Sequence, residues 1–382
     1  MQLSVIILNY NVRFFLEQCV FSVQKALENM DSEIIVVDNN SQDDSCAMMK
    51  QLFPNVKLIE NTSNVGFPKG NNIGVAEAKG EFICILNPDT VVAEDTFTKV
   101  LAFAKKQSDL GIVGVKLIDG KGNFLPESKR GIPTPWVAFT KITQLYKIFP
   151  KSRIWNQYYA QYLSENETGK AAILVGAFMV MKRDLYQEIG GFDEDCFMYS
   201  DDIDLSYMVL KKGKSNFYFH ETSVIHYKGE STIKDETYMK RFREAMNFFY
   251  KKHFKVSFIF SVFMEIGIVF FSFMKMFQGQ PKLKLAPTHY LLISDNEETR
   301  KALANKLNQN ISCQKSLELS ATLSGTEIIL DSNYLDFKTI IAFMETNKNK
   351  GFTFKILSKS ANYCIGSDSS FDRGEIITIA DF

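Results

Sequence analysis

The sequence predicts an α/β fold built on a mainly parallel sheet, and three observations carry that reading. Apolar runs of strand length alternate with helical patterns from residue 2 to residue 116, the order that a parallel sheet with crossover helices requires. The run Phe-Ile-Cys-Ile-Leu at 82–86 is apolar at every position, as a strand covered on both faces must be. Three runs stop at short polar residues, Asn-Tyr-Asn at 9–11, Asp38 and Asn-Pro-Asp at 87–89, and open α/β sheets bind ligands outside the carboxyl ends of their strands.

Taken in order, residues 2–9 form a β-branched strand, after which Phe15, Cys19, Ser22 and Ala26 recur on one side of a helix. Residues 33–37 form a second strand that ends in Asp38. Ser41 is placed to cap the next helix, and Asp43 and Asp44 favour its positive end. A carboxylate at a strand exit, as Asp38 is, either grips a ribose or base or closes a turn that starts the helix. After a short strand at 56–60 comes Asn-Thr-Ser-Asn-Val-Gly-Phe-Pro-Lys-Gly-Asn-Asn-Ile-Gly at 61–74, leading into a helix through Lys79. Its glycines, Gly66 and Gly70 among them, allow close backbone approach. Asn64, Asn71 and Asn72 add amide donors and acceptors without charge, which suits a neutral base or sugar and a diphosphate at a helix start. The spacing is neither the dinucleotide fingerprint nor the P-loop. The 82–86 strand then delivers Asn87 and Asp89 to the sheet edge, where a chemical role competes with an ordinary turn and helix cap. A helix around 93–106 and a strand near 112–116 follow.

Residues 117–170 are interrupted by Pro126, Pro133 and Pro135 and carry Trp136, Trp155, Tyr158 and Tyr159; they read as an acceptor-side loop whose aromatics either stack on sugar rings or simply pack. Residues 171–183 read as one buried strand, followed by a short helix from Asp184 that ends at a glycine pair. Asp201, Asp202 and Asp204 then open a helix that stops at Gly213, and the helix dipole is expected to keep all three ionised. A strand near 216–220 leads to His226, which is either a metal ligand, a phosphate donor or a satisfied structural group. An amphipathic helix occupies 236–253, and residues 256–274 are the most apolar stretch of the chain, with Glu265 as their single charge. A carboxylate at mid-bilayer would cost roughly 2.5–3.5 kcal/mol on insertion scales, so an interfacial amphipathic helix is expected there, with a packing or dimer helix as the alternative. Beyond Pro281 and Pro287, strands at 289–294, 327–331, 352–357 and 375–379 alternate with helices at 297–308 and 336–344 in a small Rossmann-like pattern.

The domain plan is thus residues 1–253, a linking helix at 254–287 and a second α/β unit at 288–382, in keeping with a 382-residue chain that is longer than one core usually grows. With 44 basic and 44 acidic residues there is no net field to attract nucleic acid. Six cysteines without a Cys-x-x-Cys pair indicate reduced thiols rather than a disulfide framework or a zinc site. The chain enters a strand directly, without a secretory signal, so the first domain is expected in the cytoplasm.

Four segments carry a resemblance to a known family: Ser-Val-Ile-Ile-Leu-Asn-Tyr-Asn at 4–11, Val-Val-Asp-Asn-Asn-Ser-Gln-Asp at 36–43, Asn-Val-Gly-Phe-Pro-Lys-Gly-Asn-Asn-Ile-Gly at 64–74 and Leu-Asn-Pro-Asp-Thr at 86–90. In this order they resemble the family 2 glycosyltransferases of GT-A fold, in particular the bacterial rhamnosyltransferase-like branch. The resemblance implies that Asp38 holds the nucleotide base, that Asn9 and the Asn-Gly loop with Asn87 line the donor, and that Asp89 is the metal-binding end of an Asp-x-Asp motif whose first position is here Asn87. It places Asp201 at the Glu of a Glu-Asp-x-Asp pattern, Asp202 as general base and Asp204 close by. His226 opens a His-x-x-Gly-x-Ser motif and is a second metal ligand for Mg²⁺ or Mn²⁺. The implied activity is inverting transfer of a hexose or deoxyhexose, rhamnose from dTDP-rhamnose being the leading case, to a lipid-linked or cell-surface glycan at the inner face of the plasma membrane. The segment at 364–374 looks like the tail of a nucleotide-binding-type domain of membrane sugar-phosphate transferases. Without a glycine loop at its first strand, that unit is expected to mediate docking, oligomerisation or assembly. Two rivals remain. A sugar-nucleotide pyrophosphorylase would need a basic Gly-rich loop where residues 9–13 read Asn-Tyr-Asn-Val-Arg. A catalytically silent glycan-binding or scaffold subunit would tolerate Asp202→Asn.

Overall fold

The computed structural model describes residues 1–134, 136, 137, 140, 158–228, 236–254, 286–319, 324–360, 362–368 and 374–379. Its first sheet has the order β3-β2-β1-β4-β10-β6-β11-β5. The parallel part is β1 Leu3–Asn9, β2 Ser32–Asp38, β3 Lys57–Glu60 and β4 Phe82–Leu86. All seven residues of β1 are buried, because the alternation Leu3, Val5, Ile7 against Ile6, Leu8 feeds two different cores. One core is closed by α1 Arg13–Leu27, α2 Ser45–Leu52 and α4 Thr96–Ala104, the other by α3 Phe67–Ala76, α5 Arg183–Glu188 and α6 Asp201–Lys211. The four helical-face residues Phe15, Cys19, Ser22 and Ala26 are buried as their spacing predicts.

The expected strand at 171–183 is two pieces. β9 Ile173–Leu174 pairs with β7 Lys129–Arg130, and β10 Phe178–Lys182 runs antiparallel between β4 and β6 Leu110–Ile118. The break falls at Val175-Gly176-Ala177; an apolar run reports burial but not direction or continuity. Conversely, the short strand expected at 216–220 extends as β11 Ser215–His226 with a register shift between Phe219 and Ser223. β11 lies parallel to β6 and antiparallel to β5 Thr90–Val91 and to β8 Gly169–Lys170. α7 Glu236–His253 follows, and the apolar stretch at 256–274 lies outside the described residues. Among the described residues no helix is long and apolar enough to cross a membrane. All six cysteines are free thiols.

The second sheet has the order β13-β12-β14-β15-β16-β17: β12 His289–Ile293, β13 Ile311–Gln314, β14 Thr326–Asp331 and β15 Thr353–Leu357 are parallel, and β16 Tyr363–Gly366 and β17 Glu375–Thr378 are antiparallel. β13 and β16, each four residues long, are additions to the strands expected from the sequence. Helix α8 Glu297–Leu307 covers one face, and α9 Phe337–Thr346 covers the other. That second face shares a core with the first unit: Val12, Phe15, Val91, Ala93, Ile118, Ile225 and Tyr227 pack with Leu291, Ile328, Phe337, Ile341, Phe354 and Tyr363. The unit expected to mediate docking or assembly thus packs one face against the first unit of its own chain.

Candidate active site

Every parallel strand of the first sheet ends on one edge, so β1, β2, β4 and β11 deliver Asn9, Asp38, Asn87 and His226 to the same side. Asn9 and Asp38 are buried, and the Asn9 Nδ2 donates to Asp38 Oδ1 at 2.7 Å. Ser41 does not cap the next helix. Its hydroxyl donates to Asp38 Oδ1 at 2.6 Å and its amide to Asp38 Oδ2 at 2.8 Å, while α2 begins only at Ser45, held by Asp43. Ser41 is thus spent on orienting Asp38, the nearer and stronger acceptor. Asn9 Oδ1 is buried without a hydrogen-bond partner.

The Asn-Gly loop divides into two roles. Gly66 opens α3 at φ 86°, a conformation that favours glycine, and its amide is fixed by Asn64 Oδ1 at 3.0 Å. Gly70 and Gly74 serve packing instead of ligand approach: a Cβ on Gly70 would stand 2.4 Å from Leu8 Cδ1, and one on Gly74 2.6 Å from Ile6 Cγ2. Asn72, expected at the donor, is consumed structurally. Its Oδ1 accepts from Tyr186 OH at 2.5 Å and Phe192 N at 3.1 Å, and its Nδ2 donates to Phe192 O and Glu194. Asn71 keeps a buried, unpartnered Oδ1. Asn39, which sequence reasoning passed over although it adjoins Asp38, organises the loop. It donates to Gly66 O at 3.1 Å and accepts from Asn61 at 2.8 Å.

Asn87, Asp89 and His226 meet. His226 Nε2 lies 3.4 Å from Asp89 Oδ1 and 3.3 Å from Asn87 Nδ2, because β11 pairs His226 directly with Thr90. Burial pushes the Asp89 carboxyl up, but His226 and local backbone donors outweigh it and hold the group below its usual value. Asn87 Oδ1 and His226 Nδ1 are both buried without hydrogen-bond partners; the imidazole atom that faces Asp89 and Asn87 is Nε2, so the set offered to one ion is the Asp89 carboxylate, the Asn87 amide oxygen and His226 Nε2. That donor set fits a divalent ion of the Mg²⁺ or Mn²⁺ kind. Beside it, Lys228 pairs with Glu127; the other motif residues, Gly229 and Ser231, lie outside the described residues.

Asp201 and Asp202 begin α6, and both are buried. Asp202 Oδ2 accepts from Arg130 at 2.5 Å and from Gly176 N at 3.1 Å. The expectation that all three carboxyls stay ionised fails at Asp201, which is pushed up to about 7 by burial and by the neighbouring Asp202 charge; desolvation outweighs the helix terminus. Asp204 is not part of the base cluster. It binds Lys252 Nζ at 2.8 Å and His253 Nε2 at 2.5 Å, tethering the end of α7 to α6. Arg130 was missed, since it is 72 residues from Asp202 in sequence and lies in a segment without clear periodicity. Of the aromatics in that segment, Trp136 is exposed, and Trp155 lies outside the described residues.

An open mixed sheet that gathers these groups at the ends of its parallel strands defines an α/β protein of GT-A fold. Residues 4–190 match the model of glycosyl transferase family 2, and that segment is a domain of the family. The N-acetylglucosaminyl-diphospho-decaprenol L-rhamnosyltransferase of Mycobacterium tuberculosis is 27% identical over 244 residues, covering 61% of this chain and 78% of its own. The GalNAc(5)-diNAcBac-PP-undecaprenol beta-1,3-glucosyltransferase of Campylobacter jejuni is 28% identical over 178 residues, 44% of this chain and 57% of that protein. A solved mannosyltransferase from Pyrobaculum calidifontis, in complex with GDP-mannose and Mn²⁺, aligns with a TM-score of 0.46 at 17% identity over 64% of this chain and 61% of that one.

Proposed function

We propose that residues 1–253 form an inverting, divalent-metal-dependent hexosyl- or deoxyhexosyltransferase that uses a nucleoside diphosphate sugar, rhamnose from dTDP-rhamnose being the leading donor, and a lipid-linked glycan acceptor at the inner face of the plasma membrane. The observation that carries the reading is the meeting of Asn87, Asp89 and His226 beside the buried, unpartnered Asn87 Oδ1, at the same sheet edge as Asp38. The rhamnosyltransferase name of the mycobacterial relative supports the choice of sugar and of acceptor.

In this reading Asp38, fixed by Asn9 and Ser41, accepts from the base, and Asn64 with Gly66 lines the donor. Asp89, His226 and Asn87 would hold the metal, which when bound offsets the charge of the leaving diphosphate. Asp202 takes the proton of the acceptor hydroxyl. The hydroxyl oxygen bonds to the anomeric carbon from the face opposite the diphosphate, whose bond to that carbon breaks as the nucleoside diphosphate leaves with the electron pair. One displacement inverts the centre, so no protein nucleophile is needed.

The test is nucleotide release from dTDP-, UDP- and GDP-sugars by the full chain, with a lipid-linked N-acetylglucosamine diphosphate acceptor, with and without Mn²⁺. Release from one donor that needs the ion and falls by about 10²–10⁴-fold in Asp202→Asn supports the reading. Silence across the panel favours a glycan-binding or scaffold subunit, for which Asn87 in place of an acid is the structural argument.

A further inference from the structure

The geometry points to Arg130 as the positioning residue of the transfer: its guanidinium, together with the Gly176 amide, holds one oxygen of Asp202 so that the other is presented to the acceptor hydroxyl. This rests on Asp202 being the general base.

Both donors fall on Asp202 Oδ2, Arg130 Nη2 at 2.5 Å and Gly176 N at 3.1 Å. Asp202 Oδ1 makes no hydrogen bond, yet it is not among the buried unpartnered atoms, so it keeps access to solvent while its partner oxygen is clamped. A carboxylate bonded in this way cannot rotate, and its one open oxygen has a fixed direction. A proton acceptor in a displacement reaction needs that property.

The clamp is built from one small piece of structure. Arg130 is in β7, paired with Ile173 of β9, and Gly176 lies just beyond β9, so both donors move as a unit. Arg130 Nη2 also reaches Leu174 O at 3.4 Å. The neighbouring Lys129 is pinned through its ammonium to Leu163 O at 2.6 Å and Ala160 O at 3.2 Å, which fixes β7 from its other side. Arg130 is half-buried, with 12% of its side chain exposed. A surface ion pair would be screened by water, whereas this one acts at short range in a poorly solvated site.

The charged groups around the pair are few. Asp201 faces it from the same helix, and Glu127 and Tyr158 face Arg130. Glu127 is engaged by Lys228, and Asp204 is turned toward Lys252 and His253. Asp201 is pushed up to about 7 by burial and by the neighbouring Asp202 charge, so near neutral pH it carries only part of its negative charge. Arg130 is the cation in direct contact with the Asp202 carboxylate.

The experiment measures kcat and donor KM near neutral pH for the donor that gives release in the panel above, with Mn²⁺ and the lipid-linked acceptor, in wild type, Arg130→Gln, Arg130→Lys and Asp202→Asn. For Arg130→Gln the expected result is a kcat lower by about tenfold or more with a donor KM little changed. Arg130→Lys keeps the charge but loses the planar fork, so its kcat falls as well. If Arg130→Gln does not fold, Arg130→Lys decides, and a kcat equal to wild type overturns the proposal. A loss confined to KM in a folded Arg130→Gln also overturns it. Full activity of Asp202→Asn would instead sink the assignment of the base, so the two failures are distinguishable.

Discussion

The chain contains two α/β sheets with parallel strands, and the ends of those strands have opposite fates. In the first sheet, Asn9 Oδ1, Asn87 Oδ1 and His226 Nδ1 are buried at the strand ends without partners. In the second, the corresponding ends close on themselves. Ser294 donates to Asp331 Oδ2 at 2.6 Å, Asn333 N donates to Asp331 Oδ1 at 2.8 Å, Ser332 donates to Leu357 O at 2.7 Å, and Lys359 binds Ser332 O. Among the described residues, the buried unpartnered hydroxyls of β14 and β15 are Thr326 and Thr353, at the opposite edge. A buried polar atom without a partner is costly, so it persists where a ligand completes it. Topology alone would have nominated both edges as sites; hydrogen-bond accounting separates them.

The acidic cluster of the second sheet makes the same point. Glu327, Asp368 and Glu375 are close enough to share a cation, but Lys355 Nζ already sits 2.7 Å from Glu327 and 3.1 Å from Glu375. A lysine thus already occupies the position between Glu327 and Glu375 that a cation would take.

The largest effect that would sharpen this contrast is at Asp89. Asp89→Ala is expected to lower nucleotide release by about 10²–10³-fold and to abolish the response of tryptic cleavage to added Mn²⁺; undiminished release would remove the metal centre from the first sheet. A moderate effect is expected where the two sheets join. Glu94 accepts from Phe337 N and Lys338 N, both at 2.8 Å, so a residue of the first unit caps α9 of the second. Glu94→Ala should lower unfolding stability by about 1 kcal/mol in urea titrations and leave nucleotide binding intact. An unchanged urea midpoint would mean that the joint carries no energy.

A further effect, read as a slope with pH, concerns Asp201, whose carboxyl is pushed from 3.8 up to about 7. The folded state binds the extra proton between those values. Its contribution to stability is therefore complete below about 3.8 and is lost as pH rises through about 7. Asp201→Asn cannot titrate, so it should flatten the fall in urea midpoint over that window; a slope equal to wild type would contradict the burial argument.

Much of the fold was legible because it is local. The unbroken burial of β1 and the four buried positions of α1 follow from residues within a few places of one another, and Asn9, Asp38 and Asn87 were identifiable as strand ends. What was not legible depends on distant partners. Asn72 looked like a donor ligand until Tyr186 and Phe192 took its amide, Gly70 until Leu8 filled the space beside it, and Asp204 until Lys252 and His253 arrived from the end of α7. Arg130 could not be found at all, because its significance comes entirely from Asp202. Sequence pattern fixes which atoms reach the edge, and tertiary contacts decide which of them remain available.

The central claim is that the strand ends of the first sheet, and not those of the second, hold the nucleotide. Calorimetric titration of the full chain with dTDP, UDP and GDP in the presence of Mn²⁺ tests it directly, using Asp38→Ala and Asp331→Ala beside wild type. One nucleotide should bind wild type and Asp331→Ala with the same affinity and bind Asp38→Ala about tenfold or more weakly, as the loss of a charge-assisted hydrogen bond implies. Binding that survives in Asp38→Ala and disappears in folded Asp331→Ala would contradict it.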